Sequence, residues 1–81
     1  MSTGGEWRDL EQADGVLLSR VVGTTLVVTL NRPEKANALN DELMDALASL
    51  WRKAAQASGL RAVLLTGAGS AFCAGADASM L

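Results

Sequence analysis

The chain has no histidine among its 81 residues. That excludes His-based acid–base catalysis and His-ligated metal sites for these residues. A single cysteine, Cys73, leaves no internal disulfide, which fits a reducing compartment. With no imidazole to activate it, Cys73 reads as a small packing residue and not as a nucleophile. Basic residues are few, 7 Lys and Arg against 9 Asp and Glu, for a net charge of -2. They are scattered, and only Arg52 and Lys53 are adjacent. Phosphate-backbone binding needs clustered cations, so nucleic acid is excluded as a partner. No apolar run approaches the length of a membrane span. The segment Met1 to Asp14 holds four acidic residues and no long apolar stretch, so it is not a signal peptide. No asparagine sits in an N-x-Ser/Thr sequon. The expectation is a soluble cytoplasmic protein without metal, membrane or nucleic-acid partners.

What is present is apolar. The hydrophobic fraction of 49% suits a globular chain and not a disordered one. The length allows one small domain, at the marginal end of surface-to-volume scaling.

Residues 1–15 are polar, contain Gly4-Gly5 and lack periodicity, and are expected to form a loose arm that Trp7 could dock. Val16 to Val22 reads as a strand, with Val16, Leu18 and Val22 on one face. Gly23-Thr24 fits a two-residue turn. Leu26 to Leu30 is apolar on both faces, as in an interior strand. The two strands together read as a hairpin. Asn31 to Leu39 is a loop, where Pro33 fixes its own φ and pushes Arg32 to an extended conformation. Asn40 is a good N-cap, followed by Asp41 and Glu42 in the first turn, where the helix dipole favours them. Leu43, Leu47, Leu50, Trp51 and Ala54 then recur at helical spacing and are expected in the core. The helix is predicted to run from Asp41 to Ser58, with Gly59 as the C′ residue. Arg61 to Thr66 reads as a third strand, followed by a glycine-rich loop, and Asp77 to Leu81 as the first turn of another helix. The order strand, strand, helix, strand is an α/β pattern with a crossover helix.

The loop Gly67-Ala68-Gly69-Ser70-Ala71-Phe72 matches no phosphate-binding signature. The third glycine of G-x-G-x-x-G would fall on Phe72, and no Gly-Lys-Ser/Thr follows. No G-x-S-x-G elbow is present. The stretch Ala71-Phe72-Cys73-Ala74-Gly75-Ala76-Asp77 is small and glycine-bearing, and it follows an apolar strand directly. Such a stretch lets a ligand approach the main chain closely. A backbone N–H held there can stabilise charge developing on a carbonyl oxygen. The simpler reading is a plain strand-to-helix turn.

Two segments taken together decide between these. Leu30-Asn31-Arg32-Pro33-Glu34-Lys35-Ala36-Asn37-Ala38-Leu39 and Ala71-Phe72-Cys73-Ala74-Gly75-Ala76-Asp77 resemble the crotonase (enoyl-CoA hydratase/isomerase) superfamily in order and separation. The resemblance covers Val16 to Leu81, a partial crotonase-like domain over residues 16–81. It implies acyl-CoA thioester substrates and an enolate held by two backbone N–H groups. The position matching the first of these is Ala76. The resemblance places CoA against Ala74, Gly75, Ala76, Asp77 and Ala78 on one side, and Ala36 and Ala38 on the other. Lys35 and Arg32 are expected near the CoA phosphates. No cofactor is implied beyond the coenzyme A of the substrate. Asn37 and Asn40 are expected to act in turn and cap chemistry.

Two departures stand out. A basic residue often follows Gly-Ala-Asp in hydratases, but here Ser79 occupies that place. The family's second oxyanion donor and acid–base carboxylates lie in segments beyond Leu81. Asp41, Glu42 and Asp45 read as helix-start and surface residues. The resemblance further implies a spiral of strand–strand–helix units, assembled into trimers or hexamers, of which this chain supplies one unit and the first strand of the next. The expectation is therefore a truncated α/β chain of marginal stability. It would be the N-terminal part of an enoyl-CoA hydratase or isomerase in fatty-acid or acyl-CoA metabolism. A non-catalytic acyl-CoA-binding module and a non-functional fragment are the alternatives.

Overall fold

The computed structural model describes residues 10–73 and 75. Strand β1 (Leu17–Val22) turns at Gly23-Thr24 into β2 (Thr25–Leu30). A short 3-10 turn (Pro33–Lys35) leads to helix α1 (Asp41–Gln56), and the chain returns as β3 (Ala62–Gly67). The sheet order is β1-β2-β3, with β1 antiparallel and β3 parallel to the central strand. This is the expected hairpin, interior strand and crossover. β2, apolar on both faces, is the strand that pairs on both sides.

Helix α1 covers one sheet face. Leu26, Val28 and Leu30 alternate inward from β2 and pack with Leu17, Leu43, Leu50 and Leu10. From the α1 stripe, Leu47 and Ala54 flank this core half-buried, but Trp51 stays 38% exposed. The helix lies over β1 and β2, so a residue on the far flank of its apolar stripe faces solvent. The helix stops at Gln56, two residues short of expectation, because Ala57 turns to an extended conformation. Gly59 takes a φ of +93°, which glycine accommodates at little cost.

The inward face of β1 differs from the apolar count. Leu18 and Val22 do share a face, but the core side carries Leu17, Ser19 and Val21. Ser19 is buried, which hides the alternation from a hydropathy reading. Its hydroxyl is satisfied by donating to the Leu10 carbonyl. The same contact revises the arm. From Leu10 onward the chain is docked: Leu10 is 1% exposed, and Gln12 exchanges two backbone hydrogen bonds of 2.9 Å with Ser19. The outer edge of β1 is thus partly paired. Residues 1–9, including Trp7, lie outside the described residues.

Asn40 caps α1, accepting a hydrogen bond from the Leu43 N–H at 2.9 Å. Asn40→Ala removes that acceptor and is expected to lower stability by about 1 kcal/mol. Urea denaturation of both chains measures it, and an unchanged midpoint would refute the cap.

Candidate functional site at the junction of two loops

The loop between β2 and α1 folds back on itself. Lys35 and Asn37 both donate backbone N–H bonds to the Arg32 carbonyl, at 3.0 and 2.8 Å. Ala36 donates to Pro33 at 3.2 Å and Ala38 to Lys35 at 3.0 Å. Closing so tight a loop forces two consecutive residues, Ala36 at φ 51° and Asn37 at φ 58°, into the left-handed region. Asparagine tolerates that region, whereas alanine pays for it. Strain of this kind collects at functional sites when the surrounding structure holds it in place.

The second loop begins where β3 ends. Parallel pairing sets Gly67 opposite Leu30, and the Ala68 N–H donates to the Leu30 carbonyl at 2.8 Å. Both loops therefore leave the same end of adjacent strands. They are joined twice. The Leu39 N–H donates to the Gly75 carbonyl at 2.7 Å. The Asn37 side-chain amide donates to the Ala68 carbonyl at 2.9 Å and the Ala71 carbonyl at 2.7 Å. Gly75 has a φ of +101°, and a Cβ built there would meet nothing within 4 Å. Glycine serves there for its backbone angle and not for space. The Gly75 N–H lies 3.5 Å from the Cys73 sulfur.

Of the expected site residues, Lys35 is exposed at the loop tip, and Ala36 and Ala38 are half-buried in the folded-back loop. Gly75 is brought against that loop through Leu39. Ala74, Ala76, Asp77 and Ala78 lie outside the described residues, as does the helix expected to open at Asp77. Arg32 departs from expectation. It is 8% exposed, and its guanidinium donates to the Ala38 carbonyl. It holds the loop from inside, an arrangement unsuited to reaching a phosphate in solvent.

Asn37 and Gly67 carry more of the site than sequence reasoning assigned them. Asn37 is an Asn at a tight turn, and that local signal is satisfied by turn chemistry alone. Its partners lie 31 and 34 residues away, where no periodicity points. A separate cavity of about 440 Å³ opens near the N-terminal segment, with Glu11, Leu18, Arg20 and Val27 among its lining. None of its lining residues belongs to either loop.

Comparison with known proteins agrees with this arrangement. Residues 7–81 match the family model described as Enoyl-CoA hydratase/isomerase. A probable enoyl-CoA hydratase, echA6 of Mycobacterium tuberculosis, is 54% identical over 54 residues, covering 67% of this chain and 22% of the relative. A 1,2-epoxyphenylacetyl-CoA isomerase of Escherichia coli is 44% identical over 61 residues, covering 75% of this chain and 23% of the relative. The crystal structure of enoyl-CoA hydratase EchA8_6 from Mycobacterium marinum superposes with a TM-score of 0.77 at 39% identity, over 82% of this chain and 31% of that one. The chain thus spans less than a third of the length of these relatives. Its α/β unit, its two loop motifs and these matches agree, and the chain belongs to the enoyl-CoA hydratase/isomerase family.

Proposed function

We propose that this chain forms one side of an acyl-CoA cleft, in which backbone groups of the two loops hold the thioester and Ala76 offers an N–H to the enolate oxygen. The observation that supports this most is the 2.7 Å bond from the Leu39 N–H to the Gly75 carbonyl. It sets the main chain of Ala36–Ala38 beside the segment that runs into Ala76. A thioester oxygen gains charge as an enolate forms, so a preset donor favours the transition state over the ground state. One such donor is typically worth about 10²–10³ in rate. The small side chains of Ala36, Ala38 and Gly75 suit close approach of a ligand to the backbone, and in this reading the exposed Lys35 ammonium meets the phosphates.

Proton transfer needs groups that the 81 residues do not supply in this reading. Asp41 and Glu42 lie exposed in the first turn of α1 and Asp45 exposed on the next, as helix-start and surface residues. The chain by itself is therefore expected to bind without turning over substrate. The test is a calorimetric titration of the 81-residue chain with crotonyl-CoA, alongside its ultraviolet absorbance over time. Saturable heat with constant absorbance is expected. No heat from a chain with intact helical circular dichroism would sink the reading and favour a fragment without function. Loss of absorbance would place acid–base groups within these residues.

A further inference from the structure

We infer that Asn37 is a positioning residue that locks the two loops in register. This rests on the acyl-CoA reading for its consequence, but not for its geometry. Asn37 is fully buried, and every hydrogen-bonding group of its side chain is engaged. Its Oδ1 accepts from the Arg32 N–H at 2.8 Å. Its two Nδ2 protons go to the carbonyls of Ala68 and Ala71, at 2.9 and 2.7 Å. One planar amide therefore ties the start of the first loop to two points of the second.

The fit is reciprocal. A Cβ built on Gly67 would lie 2.7 Å from Asn37 Nδ2. The amide reaches across β3 only because residue 67 has no side chain. Asn37 also occupies the left-handed region, which an asparagine accepts better than most residues. Four demands meet at this position: the backbone angle, one acceptor, two donors and a volume that clears Gly67. Asparagine meets all four. Aspartate keeps the angle, the size and the acceptor, but it turns two donors into a carboxylate oxygen facing two carbonyls. The segment from Ala68 to Ala71 then loses its anchor, and the Gly75 carbonyl is no longer held against the Leu39 N–H.

The experiment is amide hydrogen exchange on the 81-residue chain and on Asn37→Asp, with crotonyl-CoA titrations of both. Leu39 is the reporter, and Val28, buried at the centre of the sheet, is the control. Because a buried acceptor left unpaired is costly, Leu39 exchange is expected to rise by about tenfold or more while Val28 holds. Crotonyl-CoA affinity is expected to fall by a similar factor. Asn37→Gly, which relieves the backbone and adds no charge, keeps the test open if the aspartate chain does not fold. Unchanged Leu39 exchange in the folded variant overturns the inference. So does equal acceleration of Leu39 and Val28 in Asn37→Gly, which would make Asn37 a general stability residue. If the parent chain binds no crotonyl-CoA, the acyl-CoA reading fails, and Leu39 exchange still decides the role of Asn37.

Discussion

Gly67→Ala is expected to be among the most damaging single-methyl additions in this chain. A Cβ there would sit 2.3 Å from the Phe72 carbonyl oxygen, 2.6 Å from the Ala71 carbonyl oxygen and 2.7 Å from Asn37 Nδ2. Two of the three are backbone atoms, which cannot swing aside as a flexible side chain can. The third is the amide that holds the loops together. Residue 67 is not in the left-handed region, so the penalty is one of space and not of backbone angle. Overpacking of this kind costs about 3 kcal/mol when the neighbours cannot relax. For a domain of this size that lowers the melting temperature by roughly 12 °C or more. The consequence for the site follows from the geometry. To clear the methyl group, the segment Ala71–Phe72 moves away from Asn37, and the Gly75 carbonyl moves with it. Acyl-CoA affinity is therefore expected to fall along with stability. Thermal unfolding by circular dichroism, paired with crotonyl-CoA calorimetry, measures both. A melting temperature within about 2 °C of the parent, where the same scaling gives under 1 kcal/mol, would show that the loop is not packed on Gly67 as described.

The difference between Gly67 and the other positions shows what the sequence made legible. Periodicity exposed the elements. Five apolar or β-branched residues without a break, Leu26 to Leu30, marked β2 as interior, and an Asn-Asp-Glu start followed by leucines at helical spacing marked α1. Both signals act within a few residues, where the handedness and repeat of the backbone operate. The two motif segments also stood out, and the structure joins them end to end through Leu39 and Gly75. What stayed hidden was long-range or inverted. Ser19 faces the core because Leu10, nine residues earlier, offers it a carbonyl. Leu10 itself read as part of a loose arm, since one leucine in a polar segment carries no pattern. Arg32 read as a cation near the CoA phosphates, because nothing local shows that its guanidinium folds back onto Ala38. Trp51 read as core, because the pattern gives the direction of a residue on the helix but not the width of the sheet beneath it. For Ser19, Leu10 and Arg32 the deciding partner is distant in the chain or is a backbone atom, and hydropathy registers neither.

Sheet width also governs the second large effect, a contrast between two leucines. Leu43 on α1 is fully buried against β2, and Leu64 on β3 is 56% exposed. Both would lose the same three carbons on mutation to alanine. Leu43→Ala empties space that Leu26, Val28 and Leu50 line, and such a change costs about 2–5 kcal/mol. Small domains start from only about 5 kcal/mol, so this is expected to leave a large share of the chain unfolded at 25 °C. Leu64→Ala empties nothing. Its face of the sheet carries Val27 and Thr29 and has no helix over it among the described residues. An exposed site of this kind is expected to shift stability by under about 0.5 kcal/mol. Val63 and Leu65 point to the helix side, yet they remain 50% and 37% exposed, because α1 does not extend over β3. Equilibrium urea unfolding of the two variants separates the cases. Equal losses would mean that the outer face of β3 is covered in solution, by another part of the chain or by a second copy of it. A concentration-dependent midpoint would identify the second copy, because self-association makes stability depend on protein concentration. A negligible loss for Leu64→Ala beside a severe one for Leu43→Ala would confine the core to one side of the sheet. The apolar faces of β3 would then be free surface in this chain, larger than an isolated exposed leucine and of the kind that elsewhere marks contact with another element.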